Sequence, residues 1–422
     1  MNVLIVGSGG REHAIARAIS KSKRLDRLYC APGNAGIASL AECVPIPAMD
    51  FEGLAAFAKA HDVGLTVVGM DDPLVGGIVD VFEEKGLRVF GPRKNAAILE
   101  GSKAFSKELM KKYGIPTAAY ECFDDAEKAL AYLEKASFPI VLKADGLALG
   151  KGVLICATPE EAKAGVSAIM QEKKFGDAGK RMVVEEFLTG REVSVLSFVD
   201  GRTIRLMSSS QDYKRAKDGD QGLNTGGMGN FSPSPFFTKE LEATCMDRIF
   251  RPTVEAMQKE GRPFHGVIFF GLMLTKDGPK VLEYNARFGD PETQVVLPRL
   301  QNDVLDVFEA CIDGTLDTME LTFSEQAAVC VILASKGYPA AYEKGFPISG
   351  LSRFEGKEDT FCFHAGTKFS ETGEILTNGG RVLGVTALGD TLALARKKAY
   401  EATGWVDFAN KYMRTDIAAD VG

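Results

Sequence analysis

The sequence predicts a multidomain protein of mixed α/β and α+β class, and three observations lead to this prediction. The chain has 422 residues, 45% of them hydrophobic, which is enough to bury large cores in roughly two to four domains. Its first hundred residues alternate apolar strands with helical stretches, the pattern of a parallel sheet covered by helices on both faces. Its last hundred residues instead combine short strands with one final helix.

Composition excludes several classes of protein. The formal net charge is −7 and the basic residues are scattered, so we expect no nucleic-acid partner. The eight cysteines stand apart without a C-x-x-C pair, which indicates neither a zinc site nor a disulfide framework. Because there is no signal-peptide pattern and no apolar run of roughly 18 residues, we expect a cytoplasmic protein with reduced thiols and no membrane contact.

A strand, a glycine-rich turn and a helix open the chain. The apolar segment 2–6 predicts a buried strand, Gly7-Ser-Gly-Gly-Arg-Glu-His13 a turn, and residues 14–21 a helix. Such a turn aims main-chain N–H groups at an anion. The segment departs from the dinucleotide fingerprint, because His13 stands at the third small position and no acid ends the second strand, 27–31. We therefore favour a phosphate on a smaller ligand over NAD(P).

Further candidate residues follow the ends of predicted strands. Strands over residues 65–69 and 87–90 alternate with helices over residues 51–61 and 74–85. Ligands of such parallel sheets bind at the carboxyl ends of the strands. The segments at these ends are Gly7–His13, Gly33–Gly36 and Asp71–Asp72. Capping of the helix that follows Pro73 is an equally good explanation for Asp72, and a poorer one for Asp71.

A glycine-rich run from Lys143 to Gly152 carries two lysines and follows Phe138–Leu142, which predicts a short buried strand. Glycine lets main-chain N–H groups approach a ligand, and ammonium groups suit phosphate oxygens. The alternative is a hairpin with solvated lysines. Residues 99–110 predict an amphipathic helix. Its lysines Lys103 and Lys107 lie one turn apart, a spacing that usually indicates a solvated face.

A strand over Met182–Leu188 carries two acids, Glu185 and Glu186, towards its end and leads into Thr189–Gly190, a place suited to a hinge between a lid and its base. Adenine often binds at such a place, between apolar side chains and exposed main-chain groups. Glu192 is then placed to accept hydrogen bonds from ribose hydroxyls. The alternative is a plain β-turn over residues 188–191.

The polar segment 211–229 mixes charges with glycines over a length that predicts a functional or disordered loop, and we favour a substrate loop. Beyond it, a strand over residues 281–285 places Glu283 and Asn285 on one face. Their oxygens are hard ligands for Mg²⁺, which completes its shell with phosphate and water. Arg287 adds a fork for a carboxylate or phosphate. The alternative, an ordinary surface strand, is disfavoured by the cluster of Asn, Arg and Asp that follows.

Taken together, these motifs resemble the ATP-grasp ligases, and most closely their phosphoribosylamine–glycine ligase family. The resemblance covers nearly the whole chain. The segments that carry it are Gly7–His13, Glu100–Lys103, Lys143–Ala148 with Gly150–Gly152, Gln211–Arg215, Asn224–Gly229 and Arg287–Gln294.

The resemblance implies three domains: a Rossmann-like N-terminal substrate domain over residues 1–100, an ATP-grasp core over 101–326 with a lid at about 118–190, and a small C-terminal α+β domain over 327–422. It implies ATP-dependent ligation of glycine to 5-phosphoribosylamine through glycyl phosphate, in de novo purine biosynthesis. The partners are then these small molecules and ATP, with a possible transient contact to the enzyme that makes phosphoribosylamine. Another ATP-grasp specificity, or a non-catalytic NAD(P)-binding protein, remain as alternatives.

The resemblance also implies roles for individual residues. The predicted ATP ligands are Lys103, Lys143, Gly150, Lys151, Gly152, Glu185, Glu186, Phe187, Leu188 and Glu192. The predicted substrate ligands are Gly9, Gly10, Arg11, Glu12, Asn34, Asp71, Asp212, Lys214, Arg215, Thr293 and Gln294. Arg287 and Asp290 are the catalytic candidates, and Glu283 and Asn285 the ligands of Mg²⁺ or Mn²⁺.

Overall fold

A five-stranded parallel sheet forms the N-terminal unit in the computed structural model, which describes residues 1–147, 152–172 and 174–421. The strand order is β3-β2-β1-β4-β5. The strands are β1 (Asn2–Gly7), β2 (Arg27–Pro32), β3 (Glu42–Cys43), β4 (Val63–Val68) and β5 (Val89–Phe90). The helices are α1 (Gly10–Ile19), α2 (Phe51–Ala60), α3 (Asp71–Gly76) and α4 (Ile78–Glu84).

Strand β1 lies in the middle of this sheet, and the winding reverses on either side of it. Its segment 3–6 is fully buried, as expected for a strand covered on both faces. The crevice at the carboxyl ends of β1 and β4 is the place where such sheets bind ligands. Gly7 has φ +137°, and a Cβ atom there would lie 2.5 Å from Cγ of Glu12. The sharp turn into α1 therefore requires glycine.

The central unit contains two antiparallel sheets. The lid sheet, in the order β6-β9-β7-β8, has strands β6 (Tyr120–Phe123), β7 (Ile140–Ala144), β8 (Val153–Cys156) and β9 (Met182–Glu186), with helices α7 (Ala126–Leu133) and α8 (Pro159–Val166). Helices α5 (Lys94–Gly101) and α6 (Lys103–Tyr113) precede it. The base sheet, in the order β11-β10-β16-β17, has strands β10 (Arg191–Asp200), β11 (Ile204–Leu206), β16 (His265–Thr275) and β17 (Gly278–Asn285). Around it lie α9 (Lys239–Cys245), α10 (Arg251–Lys259), α11 (Thr293–Val296) and α12 (Val304–Asp313).

The C-terminal sheet, in the order β12-β15-β18-β22-β19 with β23 on the side of β18, takes strands from two distant parts of the chain. Two come from the polar segment, β12 (Gln211–Asp212) and β15 (Gly229–Ser232). The others are β18 (Ala327–Ser335), β19 (Thr360–His364), β22 (Arg381–Gly389) and β23 (Lys411–Tyr412), covered by α13 (Leu392–Thr403). Two separate hairpins pair β13 (Arg215–Lys217) with β14 (Gln221–Asn224), and β20 (Thr367–Phe369) with β21 (Ile375–Thr377).

Four predicted elements differ from the structure. The turn predicted over residues 7–13 is shorter, because α1 begins at Gly10. The single helix over 74–85 is wrong: Gly77, with φ +100°, ends α3 and starts α4. The helix predicted across residues 99–110 is interrupted at Ser102, whose hydroxyl caps α6 by accepting from the N–H of Phe105. The long loop at 211–229 is also wrong, because that segment forms strands that pair with one another and with β18.

Aromatic side chains join the N-terminal unit to the central unit. Between ring centroids, Phe90 of β5 lies 4.2 Å from Phe308 of α12 and 6.4 Å from Phe198 of β10, and Phe198 in turn lies 5.9 Å from Phe288. All four side chains are almost completely buried. Their burial fixes the strand ends of the first unit against the base sheet. Among the described helices, none is long and apolar enough to cross a membrane.

Two buried histidines join the N-terminal unit to the C-terminal unit. The main-chain N–H of His364 donates to Nδ1 of His13 at 2.8 Å, and the two rings lie 5.6 Å apart. The side chain of His364 also packs against Gly36, where any Cβ would collide with the ring. Burial lowers the pKa of His13 well below its ordinary value and that of His364 to about 4. Both rings are therefore neutral at neutral pH.

Because both histidines are buried and neutral, we expect the contact between the N-terminal and C-terminal units to be sensitive to acid. Because the pKa of His364 is lower in the folded than in the unfolded chain, its contribution to stability is complete above pH 6.5 and is lost as the pH falls towards 4. The loss amounts to about 3 kcal/mol for this one residue. The thermal unfolding temperature of the wild type should therefore fall as the pH is lowered over this range, and it should fall less steeply in His364→Asn. The exposed His61 provides the control, and an equal slope in His364→Asn and His61→Asn would contradict the assignment.

Candidate active site

One cleft of about 410 Å³ is lined by side chains from all three units. The N-terminal unit contributes Arg11 and Asp71, the central unit Lys143 and Glu283, and the C-terminal unit Arg381. Lys143 belongs to the lid sheet and Glu283 to the base sheet. The two segments from which we predicted phosphate and metal binding thus face the same space, although they lie far apart in the chain.

A buried carboxylate holds two lysines on the lid side of the cleft. Glu185 of β9 places Oε2 2.9 Å from Nζ of Lys107 and Oε1 3.0 Å from Nζ of Lys143. Lys107 also donates to Oγ1 of Thr117 at 2.7 Å, and Lys143 to the main-chain oxygen of Leu282 at 3.0 Å. Burial lowers the pKa of Lys107 to about 8, although Glu185 acts to raise it. The group carries a net positive charge, which suits an anionic ligand.

The N-terminus of α6 is tied to the glycine-rich run. Asp145 accepts from the hydroxyl of Ser102 at 3.0 Å and from the N–H of Ala104 at 3.0 Å, so it caps the helix from the lid. Lys103 donates from Nζ to the main-chain oxygen of Gly146 at 2.9 Å. Burial lowers the pKa of Lys103, whereas Glu283 acts to raise it. This helix N-terminus and its lysine therefore point into the cleft beside the run.

Glu283 and Asn285 lie on β17 and both line the cleft, as their alternation along the strand predicts. Burial alone would raise the pKa of Glu283, but Lys214, Lys143 and other nearby cations lower it to about 2. The nearest of them is Lys214, with Nζ 3.6 Å from Oε1 of Glu283. Glu283 is therefore ionised over any working pH and presents a carboxylate to the cleft.

Arg287 is held by an acid that we did not assign to the site. Its Nη2 lies 2.9 Å from Oε1 of Glu100, 3.3 Å from Oδ1 of Asn285 and 3.9 Å from Oδ2 of Asp71. The other oxygen of Glu100 accepts from the N–H of Ala286 at 2.7 Å. Burial raises the pKa of Glu100, although Arg287 acts to lower it. These contacts hold the guanidinium of Arg287 in the cleft lining.

Asp290 connects the N-terminal loop to the C-terminal unit. Its Oδ2 accepts from the main-chain N–H of Arg11 at 3.2 Å. Its Oδ1 accepts from the side chain of Gln294 at 2.8 Å and lies 3.3 Å from Nη2 of Arg381. Burial would raise the pKa of Asp290, but Arg381 and Arg11 lower it. Three segments that are remote in sequence therefore meet at this carboxylate.

Two further carboxylates line the cleft near Lys214. Burial, and then the negative charge of Glu292, raise the pKa of Asp212 well above its ordinary value. Burial also raises the pKa of Glu292, while Lys214 acts to lower it. Oδ1 of Asp212 is buried without a hydrogen-bond partner. Such a carboxylate is prepared to bind a polar ligand group or to take up a proton.

Part of the predicted ATP set lies beside the cleft. Gly152 lines it, whereas Gly150 and Lys151 fall outside the described residues. Of the residues that the structure describes, those lining the cleft do not include Glu186, Phe187, Leu188 or Glu192. Glu186 is the last residue of β9 and its side chain pairs with Lys280 at 3.2 Å, whereas Glu192 lies in β10 of the base sheet. A role for Glu186, Phe187 and Leu188 therefore depends on their main chain, whereas Glu192 stays a candidate through its carboxylate.

Several predicted substrate residues build the site and do not line it. Glu12 is 1% exposed, accepts from the N–H of Gly9 at 2.6 Å and pairs with Arg11 at 2.6 Å. The amide of Asn34 donates to the main-chain oxygen of His364 at 2.9 Å. Within the described part of the chain, the cleft-lining residues also leave out Gly10, Arg215, Thr293 and Gln294. Arg11, Asp71, Asp212 and Lys214 do line it.

Four charged residues of the cleft lining were absent from the predicted list of site residues, and each left a different signal in the sequence. Glu100 stands three residues before Lys103 in a segment that we had singled out, and Glu292 lies between Asp290 and Gln294. Lys107 shares a helix face with Lys103, a pattern that usually indicates a solvated surface. Arg381 ends a turn-like Asn-Gly-Gly-Arg segment, from which we considered that it faces the active site without assigning it a role.

The chain is similar to phosphoribosylglycinamide synthetase over nearly its whole length. The N domain of that family matches residues 1–100, its ATP-grasp (A) domain residues 101–293, and its C domain residues 328–420. A phosphoribosylamine–glycine ligase of Halalkalibacterium halodurans is 51% identical over 419 residues, covering 99% of this chain and 97% of the relative.

Comparison with solved structures supports the same family. A phosphoribosylamine–glycine ligase from Thermotoga maritima has a TM-score of 0.85 and 37% identity, covering 99% of this chain and 100% of that one. The biotin carboxylase domain of a Hydrogenobacter thermophilus 2-oxoglutarate carboxylase reaches a TM-score of 0.75 at 16% identity, covering 98% of this chain and 91% of that one. This second likeness concerns the fold alone.

The pairing of Glu100 with Arg287 predicts that replacing this buried acid lowers the free energy of unfolding much more than replacing an exposed acid does. Glu100→Gln leaves the guanidinium without its nearest charged partner, and we expect a loss of about 3 kcal/mol in the free energy of unfolding. Glu83→Gln removes the acid from the exposed pair with Arg93, where the loss should stay below about 1 kcal/mol. Denaturant unfolding of both variants measures the difference. Losses of similar size would show that Glu100 does not fix Arg287.

Proposed function

The chain belongs to the phosphoribosylglycinamide synthetase family, and from this premise we propose that it uses ATP to join glycine to 5-phosphoribosylamine. The products are glycinamide ribonucleotide, ADP and phosphate, a step of purine biosynthesis. The observation that supports this most strongly is that one cleft is lined by the lysines of the lid side, by Glu283 and by Arg11 of the N-terminal loop. We keep the division into three domains, at residues 100/101 and 326/327, as part of the proposal.

The first step transfers the γ-phosphoryl group. A carboxylate oxygen of glycine attacks the γ-phosphorus, the bond to the β-phosphate oxygen breaks, and glycyl phosphate and ADP form. Catalysis of such a step depends mainly on positioning and on neutralising charge. We assign this work to Lys143 and Lys103 for the phosphates of ATP. Glu185 assists by keeping Lys143 in place.

The donor set on β17 fits a magnesium or manganese ion. Glu283 is ionised, and Asn285 presents an amide oxygen on the same face, while phosphate oxygens and water complete such a shell. In the described part of the chain, no three His, Cys, Asp or Glu side chains cluster as ligands, which agrees with a site that has few protein donors. When bound, the ion would neutralise charge on the phosphates of ATP.

The second step forms the amide. The amine nitrogen of phosphoribosylamine attacks the carbonyl carbon of glycyl phosphate, the carbon–oxygen bond to phosphate breaks, and the nitrogen loses a proton. We assign Arg287 to the acyl phosphate, because its fork is held at the cleft lining by Glu100. Asp212, with its raised pKa and free Oδ1, is our candidate for taking up the proton. Asp290 holds the segments around this centre.

The two substrates enter different parts of the cleft. The N-terminal turn and Arg11 lie at the carboxyl end of β1, where the ribose-phosphate would bind. Glycyl phosphate hydrolyses in water, so the lid must exclude solvent during its lifetime. Main-chain groups of Glu186–Leu188 and the carboxylate of Glu192 stay our candidates for adenine and ribose. A transient contact with the enzyme that supplies phosphoribosylamine would protect this unstable amine.

Transfer of oxygen tests the reaction and its intermediate together. Glycine labelled with ¹⁸O in both carboxylate oxygens should deliver one labelled oxygen to inorganic phosphate for every glycinamide ribonucleotide formed. Mass spectrometry of both products, with ATP, Mg²⁺ and freshly made phosphoribosylamine, measures this ratio. Alanine and serine replace glycine in the control reactions. Unlabelled phosphate would exclude glycyl phosphate, and equal turnover of another amino acid would exclude the glycine specificity.

Removal of the Glu283 charge tests the metal and phosphate assignment. Glu283→Gln keeps the shape of the side chain, which is partly exposed, so the fold should persist while ligation falls at least about 100-fold. Glu260→Gln is the matched control, because Glu260 pairs with Lys112 away from the cleft. Ligation rates and thermal unfolding of both variants are compared. Normal ligation by Glu283→Gln would remove this residue from the mechanism.

A further inference from the structure

A small hairpin, formed by β13 and β14, carries a lysine of the cleft. Lys214 immediately precedes β13, and its Nζ lies 3.6 Å from Oε1 of Glu283. The main-chain oxygen of Lys214 accepts from the N–H of Thr225 at 2.7 Å, which closes the base of the hairpin. The tip, residues 217–223, is exposed. A two-stranded hairpin is marginally stable by itself, so contacts from elsewhere must hold it.

The last part of the chain supplies these contacts through Arg414. This guanidinium is 1% exposed and forms a two-point pair with Asp416, from Nε to Oδ1 and from Nη2 to Oδ2, both at 2.7 Å. Its remaining nitrogen, Nη1, donates to Oδ1 of Asp220 at 2.9 Å and to the main-chain oxygen of Arg215 at 3.1 Å. Arg414 therefore forms hydrogen bonds to both the tip and the first strand of the hairpin.

Neighbouring residues of the tail segment, residues 411–420, form further hydrogen bonds to the hairpin. The N–H of Thr415 donates to Oδ1 of Asp218 at 2.8 Å, and the N–H of Gly219 donates to Oδ2 of Asp416 at 2.8 Å. The hydroxyl of Tyr412 donates to the main-chain oxygen of Ala216 at 2.8 Å. The contacts follow the hairpin from its first strand to its tip, which distinguishes them from a single chance pair.

The tail segment is itself anchored to the C-terminal unit. Its strand β23 pairs with β18, with Tyr412 opposite Ala334. Arg396 of α13 donates to the main-chain oxygens of Thr415 and Ile417 at 2.9 and 2.8 Å. Burial would raise the pKa of Asp416, but Arg414 and the N–H of Gly219 help to lower it to about 2. The pair with Arg414 is consequently charged at every working pH.

We propose that Arg414 is a positioning residue for the ligation, which acts by holding the hairpin so that Lys214 faces Glu283 in the cleft. This inference rests on the proposed function. Arg414 touches neither the cleft lining nor Lys214 directly among the described contacts. Its effect passes through the main chain of Arg215, the residue that follows Lys214. The tail segment thus determines the geometry of a centre that it does not enter.

A pair of substitutions separates this role from general stabilisation. Arg414→Lys keeps the positive charge but cannot reproduce the fork, so we expect kcat/KM for ligation to fall about tenfold. In the Lys214→Gln background the same change should alter kcat/KM less than about twofold, because the residue through which it acts is gone. A full, multiplicative loss in that background would overturn the proposal.

Two further variants keep the test decisive. Asp220→Asn removes the charged contact on the hairpin side and leaves Arg414 paired with Asp416, so a smaller loss of the same kind is expected even if Arg414→Lys folds poorly. Arg205→Lys is the matched control, since Arg205 forks onto the main-chain oxygens of Asp317 and Met319 away from the hairpin. Equal losses in the Asp220 variant and the control would also overturn the proposal.

Hydrogen exchange supplies a measurement that does not depend on activity. Amides of residues 215–224 should exchange at least about tenfold faster in Arg414→Lys than in the wild type, while those of the base sheet stay unchanged. Unchanged exchange in the hairpin would refute the proposal that Arg414 stabilises it. If the wild type forms no glycinamide ribonucleotide, the proposed function fails, and the exchange experiment still decides whether the tail segment holds the hairpin.

Discussion

Charge pairing across the cleft is the constraint on which the arrangement of the three units depends. Glu185 pairs with lysines of α6 and β7, Glu100 with Arg287, and Asp290 with Arg381 of the C-terminal unit. A buried ion pair adds little net stability, but the loss of one partner leaves an uncompensated charge at a cost of about 3–5 kcal/mol. The cations that phosphate chemistry requires can therefore be kept in a half-buried cleft only if acids from other segments are brought to them.

Local pattern was sufficient for the features that depend on one strand or one turn. The alternation along β17 placed Glu283 and Asn285 on the cleft side, and the glycine-rich turn after β1 was predicted from its spacing. The break at Gly77 was also accessible, because it follows another glycine in a stretch that we had taken as one helix. Such features are decided within a few residues, so the sequence displays them directly.

Features that need contacts between distant segments could not be predicted in this way. The polar segment 211–229 has the composition of a loop, but β18, about a hundred residues later, offers an edge to β15, and β15 in turn pairs with β12. Lys107 has the spacing of a solvated lysine, and only the approach of β9 to α6 buries it against Glu185. The tail segment gives no signal either, since its partners lie in the hairpin.

The sharing of one sheet between the polar segment and the C-terminal unit limits how the chain can be divided. A boundary drawn at residue 326 in the sequence cuts between β15 and its partner β18, which pair over Gly229–Ser232. A fragment that stops there exposes the main-chain donors and acceptors of an unpaired strand, and such an edge recruits other chains. Recombinant pieces of this protein should thus be soluble only when both halves of the sheet are produced together, a practical rule for anyone who dissects it by truncation.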